Sequence, residues 1–128
     1  MIKSFYIMTN YKQVSILGLG YVGLPVLYKF AKKFYTVGFD IDKKKVNLLK
    51  KKSYKDKKNI KFSSNSNDLR NSEIFIITVP TPIYKNKKPD LRNLISATKT
   101  VGKYLTKNSL VIFESTVFPG VTENICGK

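Results

Sequence analysis

Three glycines carry the first chemical signal: Gly18-Leu19-Gly20-Tyr21-Val22-Gly23 has the spacing G-x-G-x-x-G. Alone the pattern is weak, because glycines punctuate many turns. Here an apolar run, Val14-Ser15-Ile16-Leu17, precedes it and helical spacing follows it. A strand–turn–helix of that kind turns backbone N–H groups and the positive end of a helix dipole toward an anion. Gly18 would allow the tight turn, Gly20 a close approach to a pyrophosphate, and Gly23 close packing of helix on strand. Asp40, 22 residues beyond Gly18, ends the next apolar run. A carboxylate there accepts hydrogen bonds from an adenosine ribose and repels a 2′-phosphate, which favours NAD over NADP. Lys43, Lys44 and Lys45 soften that preference, and Lys43 and Lys44 read as a solvated first helical turn.

Two further groups stand at the ends of apolar runs, Val79-Pro80-Thr81-Pro82 and Glu114-Ser115-Thr116. Each has two readings. Pro80 and Pro82 either stop a strand or touch a cofactor. Ser115 and Thr116 either cap a helix after Pro119 or join the site. In open α/β sheets ligands bind beyond the carboxyl ends of the strands, so all four groups should gather along one edge.

The elements that would hold these residues follow from hydrophobic periodicity. Strands are expected over 14–17, 36–40, 59–63, 74–79 and 109–113, the third of them weak. Helices are expected over 21–34, 43–52, 65–71 and 91–105, with a last one opening at Pro119-Gly120. Pro25 falls in the first turn of the first helix, where its missing N–H costs nothing. The run over 74–79 is apolar on both faces, as a central parallel strand requires, and Pro80 begins a polar loop to Asp90. This alternation implies right-handed crossovers and helices on both faces of a parallel sheet. The expected architecture is a single Rossmann-type doubly wound α/β domain over 14–128, behind an extension over 1–13.

Composition sets the outer bounds. A chain of 128 residues, 42% hydrophobic, builds one compact core and not two. No apolar run spans a bilayer, and the first residues lack a signal-peptide pattern. One cysteine excludes an internal disulfide framework, and the absence of histidine removes His-based triads and most zinc sites. The expected compartment is the cytoplasm, with no metal. The net charge of +16 has two readings: a footprint for nucleic acid or an anionic membrane, or biased use of Lys, Asn, Ile, Phe and Tyr. The lysines are scattered and no nucleic-acid motif accompanies them, so neither nucleic acid nor membrane is expected as a partner. The densest stretch, 50–61, reads as a solvated connection.

The runs Gly18-Leu-Gly-Tyr-Val-Gly-Leu-Pro25, Phe39-Asp40-Ile41-Asp42, Val79-Pro80-Thr81-Pro82 and Glu114-Ser115-Thr116-Val117-Phe118-Pro119-Gly120, in that order, resemble the N-terminal domain of the UDP-glucose/GDP-mannose dehydrogenase family. Pro89-Asp90-Leu91 and the last of these runs look most like the branch that oxidises UDP-N-acetylhexosamines. The resemblance covers about residues 14–125. It implies NAD-dependent oxidation of a UDP-sugar C6 alcohol to a carboxylate, for surface polysaccharide precursors, in a homo-oligomer. By that resemblance the turn with Tyr21 and Val22 would hold the pyrophosphate. Asp40 would hold the ribose, beside Lys45 where the family commonly has a basic residue. Pro80 and Thr81 would contact the cofactor. Thr116 would bind near the nicotinamide and serve catalysis by positioning water or substrate.

The family's chains are longer, with a linking helix, a C-terminal substrate domain and a nucleophilic cysteine in a Gly-Gly-Ser-Cys-Phe-Pro-Lys-Asp type motif. None of these occurs here, so the resemblance implies a truncated chain that is inactive alone. Cys126 has no histidine to activate it and is not expected to be a nucleophile. The alternatives are a free-standing NAD-sensing or regulatory Rossmann module, and a basic nucleic-acid-binding protein.

Overall fold

A computed structural model describes residues 13–52, 57–116 and 119–127. The expected extension over 1–13 lies outside these, apart from Gln13, which opens the first strand. Five strands form one parallel sheet: β1 (Gln13–Leu17), β2 (Tyr35–Phe39), β3 (Ile60–Ser63), β4 (Ile74–Ile77) and β5 (Leu110–Phe113). Their spatial order is β3-β2-β1-β4-β5, and every neighbouring pair is parallel. Three α-helices connect them: α1 (Gly23–Ala31), α2 (Lys43–Lys51) and α3 (Arg92–Gly102).

Period-2 alternation divides the core between the two faces of the sheet. Val14, Ile16, Ile74 and Ile76 pack with Leu27 of α1 and Val46 of α2. Leu17, Phe75 and Ile77 face the other way and pack with Leu94, Ala97 and Val101 of α3. Both faces are covered, which is why β1 and β4 are buried along their whole lengths. This is the doubly wound α/β architecture the alternation of elements implies.

Several boundaries differ from the sequence expectation, each for a local reason. The helix expected over 21–34 begins only at Gly23, because residues 20–22 complete the turn off β1. It stops at Ala31, yet Phe34 keeps its helical phase: its N–H bonds the Phe30 carbonyl and the two rings lie 6.1 Å apart. β2 opens at Tyr35, so the chain must already be reversing. The helix expected over 65–71 is a single 3-10 turn, Ser66–Leu69, whose Asn65 side chain accepts the Asn67 N–H. The strand expected to reach residue 79 ends at Ile77. The helix expected after Gly120 is one π-helical turn, Thr122–Cys126, seated over the fully buried Val121.

Candidate functional site

The turn after β1 is closed by contacts that leave no room for side chains. Gly18 has φ +96°, and a Cβ on it would lie 2.9 Å from the Val79 nitrogen. A Cβ on Gly23 would lie 1.8 Å from the Gly18 carbonyl oxygen, so α1 is seated directly on the turn. Gly20 is the opposite case: nothing approaches its missing Cβ within 4 Å. Its open side leaves the backbone of the turn free to be approached closely. Leu19 between them is buried in the core, while Tyr21 is fully exposed and Val22 half-exposed. The first turn of α1 carries no acidic residue and no side-chain cap, so nothing of the protein's own competes for an anion there.

Asp40 follows β2 and is buried, with 7% of its surface exposed. Its Oδ2 accepts the Leu19 N–H at 2.9 Å and the Lys45 ammonium at 2.9 Å, and its Oδ1 accepts the Asp42 N–H at 2.9 Å. Burial pushes the Asp40 carboxyl up. The Lys45 hydrogen bond, the Asp42 and Leu19 N–H groups and the Lys45 charge together outweigh it and hold the carboxyl below its ordinary value. Lys45 is held in reach by local structure. Asp42 is the N-cap of α2, its Oδ1 accepting the Lys44 and Lys45 N–H groups, which sets Lys45 in the first turn above Asp40.

A cleft of about 270 Å³ opens between the ends of β1, β2 and β4 and the first turns of α3. Gly18, Asp40, Lys45 and Pro80 line it, with Asn93 and Ser96 opposite. Asn93 was not singled out by the sequence; its amide donates to the Pro80 carbonyl at 3.3 Å and ties α3 to the cleft wall. Gly20, Tyr21, Val22 and Gly23 do not line the cleft. Thr81 and Thr116 form a separate pair, the Thr81 hydroxyl donating to the Thr116 carbonyl at 2.7 Å. Ser115 donates to the Val79 carbonyl at 2.7 Å. Its hydroxyl therefore crosslinks the ends of β4 and β5, and the capping alternative for it is set aside. The last turn takes no side-chain cap from Thr116 either.

Thr78 was also missed. Its buried hydroxyl donates to the Gly18 carbonyl at 2.7 Å, and it is the one hydroxyl in an otherwise apolar run.

Three carboxyls of the structure are held below their ordinary value of 3.8. Asp40 is described above. Asp68 is lowered chiefly by Lys61, at 2.8 Å, and then by Ser63. Asp90 is lowered chiefly by the side chain of Arg92, which grips both of its oxygens. A carboxyl with a lower value folded than unfolded adds stability above the unfolded value, and that stability is lost as pH falls through the folded one. The melting temperature should therefore fall as pH drops below about 3.8. A circular-dichroism melting series checks this, and a melting point unchanged from pH 6 to pH 3 would contradict it.

The model of the UDP-glucose/GDP-mannose dehydrogenase family, NAD binding domain, matches residues 12–128. Protein CapL of Staphylococcus aureus is 42% identical over 124 residues, covering 90% of this chain and 29% of the relative. The UDP-N-acetyl-D-glucosamine 6-dehydrogenase of Pseudomonas aeruginosa is 42% identical over 124 residues, covering 89% of this chain and 29% of that protein. Among solved structures, the UDP-D-ManNAc dehydrogenase of Pyrococcus horikoshii superposes with a TM-score of 0.82 at 33% identity, over 88% of this chain and 30% of that one. The chain thus spans about 30% of the length of the relatives it matches.

Proposed function

The chain belongs to the UDP-glucose/GDP-mannose dehydrogenase family as its NAD-binding domain, and on that premise we propose that Gly18 to Gly23 and Asp40 hold the two ends of the ADP half of NAD. One observation carries the assignment: the glycine turn and the Asp40 carboxylate are joined by the Leu19 N–H, so phosphate cradle and ribose acceptor are one rigid unit, with Gly18 and Asp40 on the wall of one cleft and Gly20 to Gly23 just outside it. Gly20 leaves its open side to the pyrophosphate, and Tyr21 and Val22 flank it. Lys45 orients Asp40 and stands beside the same ribose. Pro80 walls the cleft, while Thr81 and Thr116 serve the nicotinamide end. What supports this last placement is their pairing past the carboxyl ends of β4 and β5, on the same sheet edge as Gly18. When bound, NAD supplies the hydride acceptor of the reaction.

The names of the relatives support oxidation of a UDP-N-acetylhexosamine as the reaction this domain serves. Because the chain spans about 30% of their length, that activity, the sugar, the catalytic use of Thr116 and a homo-oligomeric assembly all belong to the proposal. So does a cytoplasmic setting; no described helix is long and apolar enough to cross a membrane.

Calorimetric titration of the chain with NAD tests the reading. Saturable one-to-one binding is expected. A folded chain that takes up no NAD at millimolar concentration would refute the site assignment.

A further inference from the structure

We infer that Thr78 is a positioning residue that sets the phosphate-binding turn and the Asp40 carboxylate in register with each other, acting through a single peptide group. The inference rests on the cofactor reading of Gly18 to Gly23 and Asp40. Thr78 follows β4 directly and is buried, with 8% of its surface exposed. Its hydroxyl lies 2.7 Å from the Gly18 carbonyl oxygen and 3.0 Å from that of Leu17. The Leu17 carbonyl already accepts the Thr78 N–H at 2.8 Å, so the hydroxyl proton is best spent on Gly18.

The Gly18–Leu19 peptide is trans, so its C=O and N–H point in opposite directions. The carbonyl end is held by Thr78. The N–H end donates to Asp40 Oδ2 at 2.9 Å. One rigid plate is therefore gripped from β4 at one end and from the end of β2 at the other. It needs the grip, because Gly18 brings no side chain of its own to fix the plate at φ +96°. The corner is tight: the position of a Cβ on Gly23 is 2.6 Å from the Thr78 hydroxyl oxygen. Without the hydroxyl, the buried Gly18 carbonyl loses its donor and the plate is free to turn. Asp40 then loses its fixed Leu19 donor, and Oδ2 follows the half-exposed Lys45 alone.

The test is calorimetric titration with NAD of the wild-type chain, Thr78→Val, Thr78→Ser, Asp40→Asn and Thr78→Val combined with Asp40→Asn. Thr78→Val keeps the shape and drops the hydroxyl, and NAD affinity should fall roughly tenfold. Thr78→Ser keeps the hydroxyl and should bind within about twofold of wild type. Because Thr78 acts through Asp40, adding Thr78→Val to Asp40→Asn should cost less than about threefold more. A merely structural Thr78 would lower the melting temperature without that coupling. Wild-type affinity in Thr78→Val, or a full tenfold loss on top of Asp40→Asn, would overturn the inference. Should Thr78→Val not fold, Thr78→Ser decides alone: a tenfold loss there makes the methyl group, not the hydroxyl, the operative part. A wild-type chain that does not bind NAD refutes the cofactor site itself, an outcome separate from all of these.

Discussion

Gly23→Ala should cost about 3 kcal/mol or more, at the top of the range for overpacking a filled site. The added methyl would fall 1.8 Å from the Gly18 carbonyl oxygen and 2.6 Å from the Thr78 hydroxyl. The first of these is backbone, so no rotamer change relieves the clash; α1 must lift off the turn. For a domain whose total stability is about 5–15 kcal/mol, that is a large share. Urea unfolding measures it. Gly20→Ala is the matched contrast, since no atom lies within 4 Å of its new methyl. Its stability should stay within about 0.5 kcal/mol of wild type, while its NAD affinity falls because the methyl takes the pyrophosphate's space. A Gly23→Ala chain that unfolds at the wild-type urea midpoint would mean that α1 is not seated on the turn. A Gly20→Ala chain with full NAD affinity would move the phosphates elsewhere.

Replacing Asp40 should have the largest effect on cofactor choice. Hydrogen bonds to a charged acceptor contribute about 1.5–3 kcal/mol, so Asp40→Asn should weaken NAD binding roughly 10- to 100-fold. NADP should change in the other direction. In the wild type a 2′-phosphate would meet a buried carboxylate kept ionised by Lys45, Asp42 and Leu19. In Asp40→Asn the repulsion is gone, and Lys45, 2.9 Å from that carboxylate in the wild type, is left for the phosphate. The NAD preference should collapse or invert. Asp40→Ala goes further: it removes the acceptor of the buried Leu19 N–H, which adds about 1–3 kcal/mol of destabilisation. Parallel titrations with NAD and NADP settle the point. An Asp40→Asn chain that keeps the wild-type ratio of affinities would place discrimination on some other group.

What was legible in the chain was whatever local pattern determines. The glycine spacing, the strand before it and Asp40 at the next strand end are all neighbours in sequence of the elements that position them. The structure puts Gly18 and Asp40 on one cleft, as the strand-end argument requires. The boundaries were less legible because periodicity outlasts hydrogen bonding: Phe34 keeps helical phase beyond Ala31, and Val79 is apolar although β4 has ended. Ser115 read equally well as a helix cap because a hydroxyl near a helix start looks the same whatever accepts it; its acceptor is the carbonyl of Val79, 36 positions away. Thr78 was hidden for the same reason, its partner Gly18 being 60 positions distant. Contacts of that range have no local signature. A polar residue ending an apolar strand was the only hint.

The strand order also sets a timetable for synthesis. β1 is the first described strand in the chain and the middle strand of the sheet. It can pair with β2 almost as soon as both have emerged from the ribosome. Its other edge waits for β4, whose last residue pairs with Leu17 from 60 positions further on. At about 5–20 residues per second that wait lasts about 3–12 s. Throughout it β1, joined by β2 after residue 39 and by β3 only after residue 63, presents a bare edge bearing Val14 and Ile16, the kind of edge that pairs with whatever strand it meets. Elongation speed between residues 18 and 77 therefore governs how long the growing chain stays adhesive. Slow codons there should lower the yield of folded chain even though they change no amino acid.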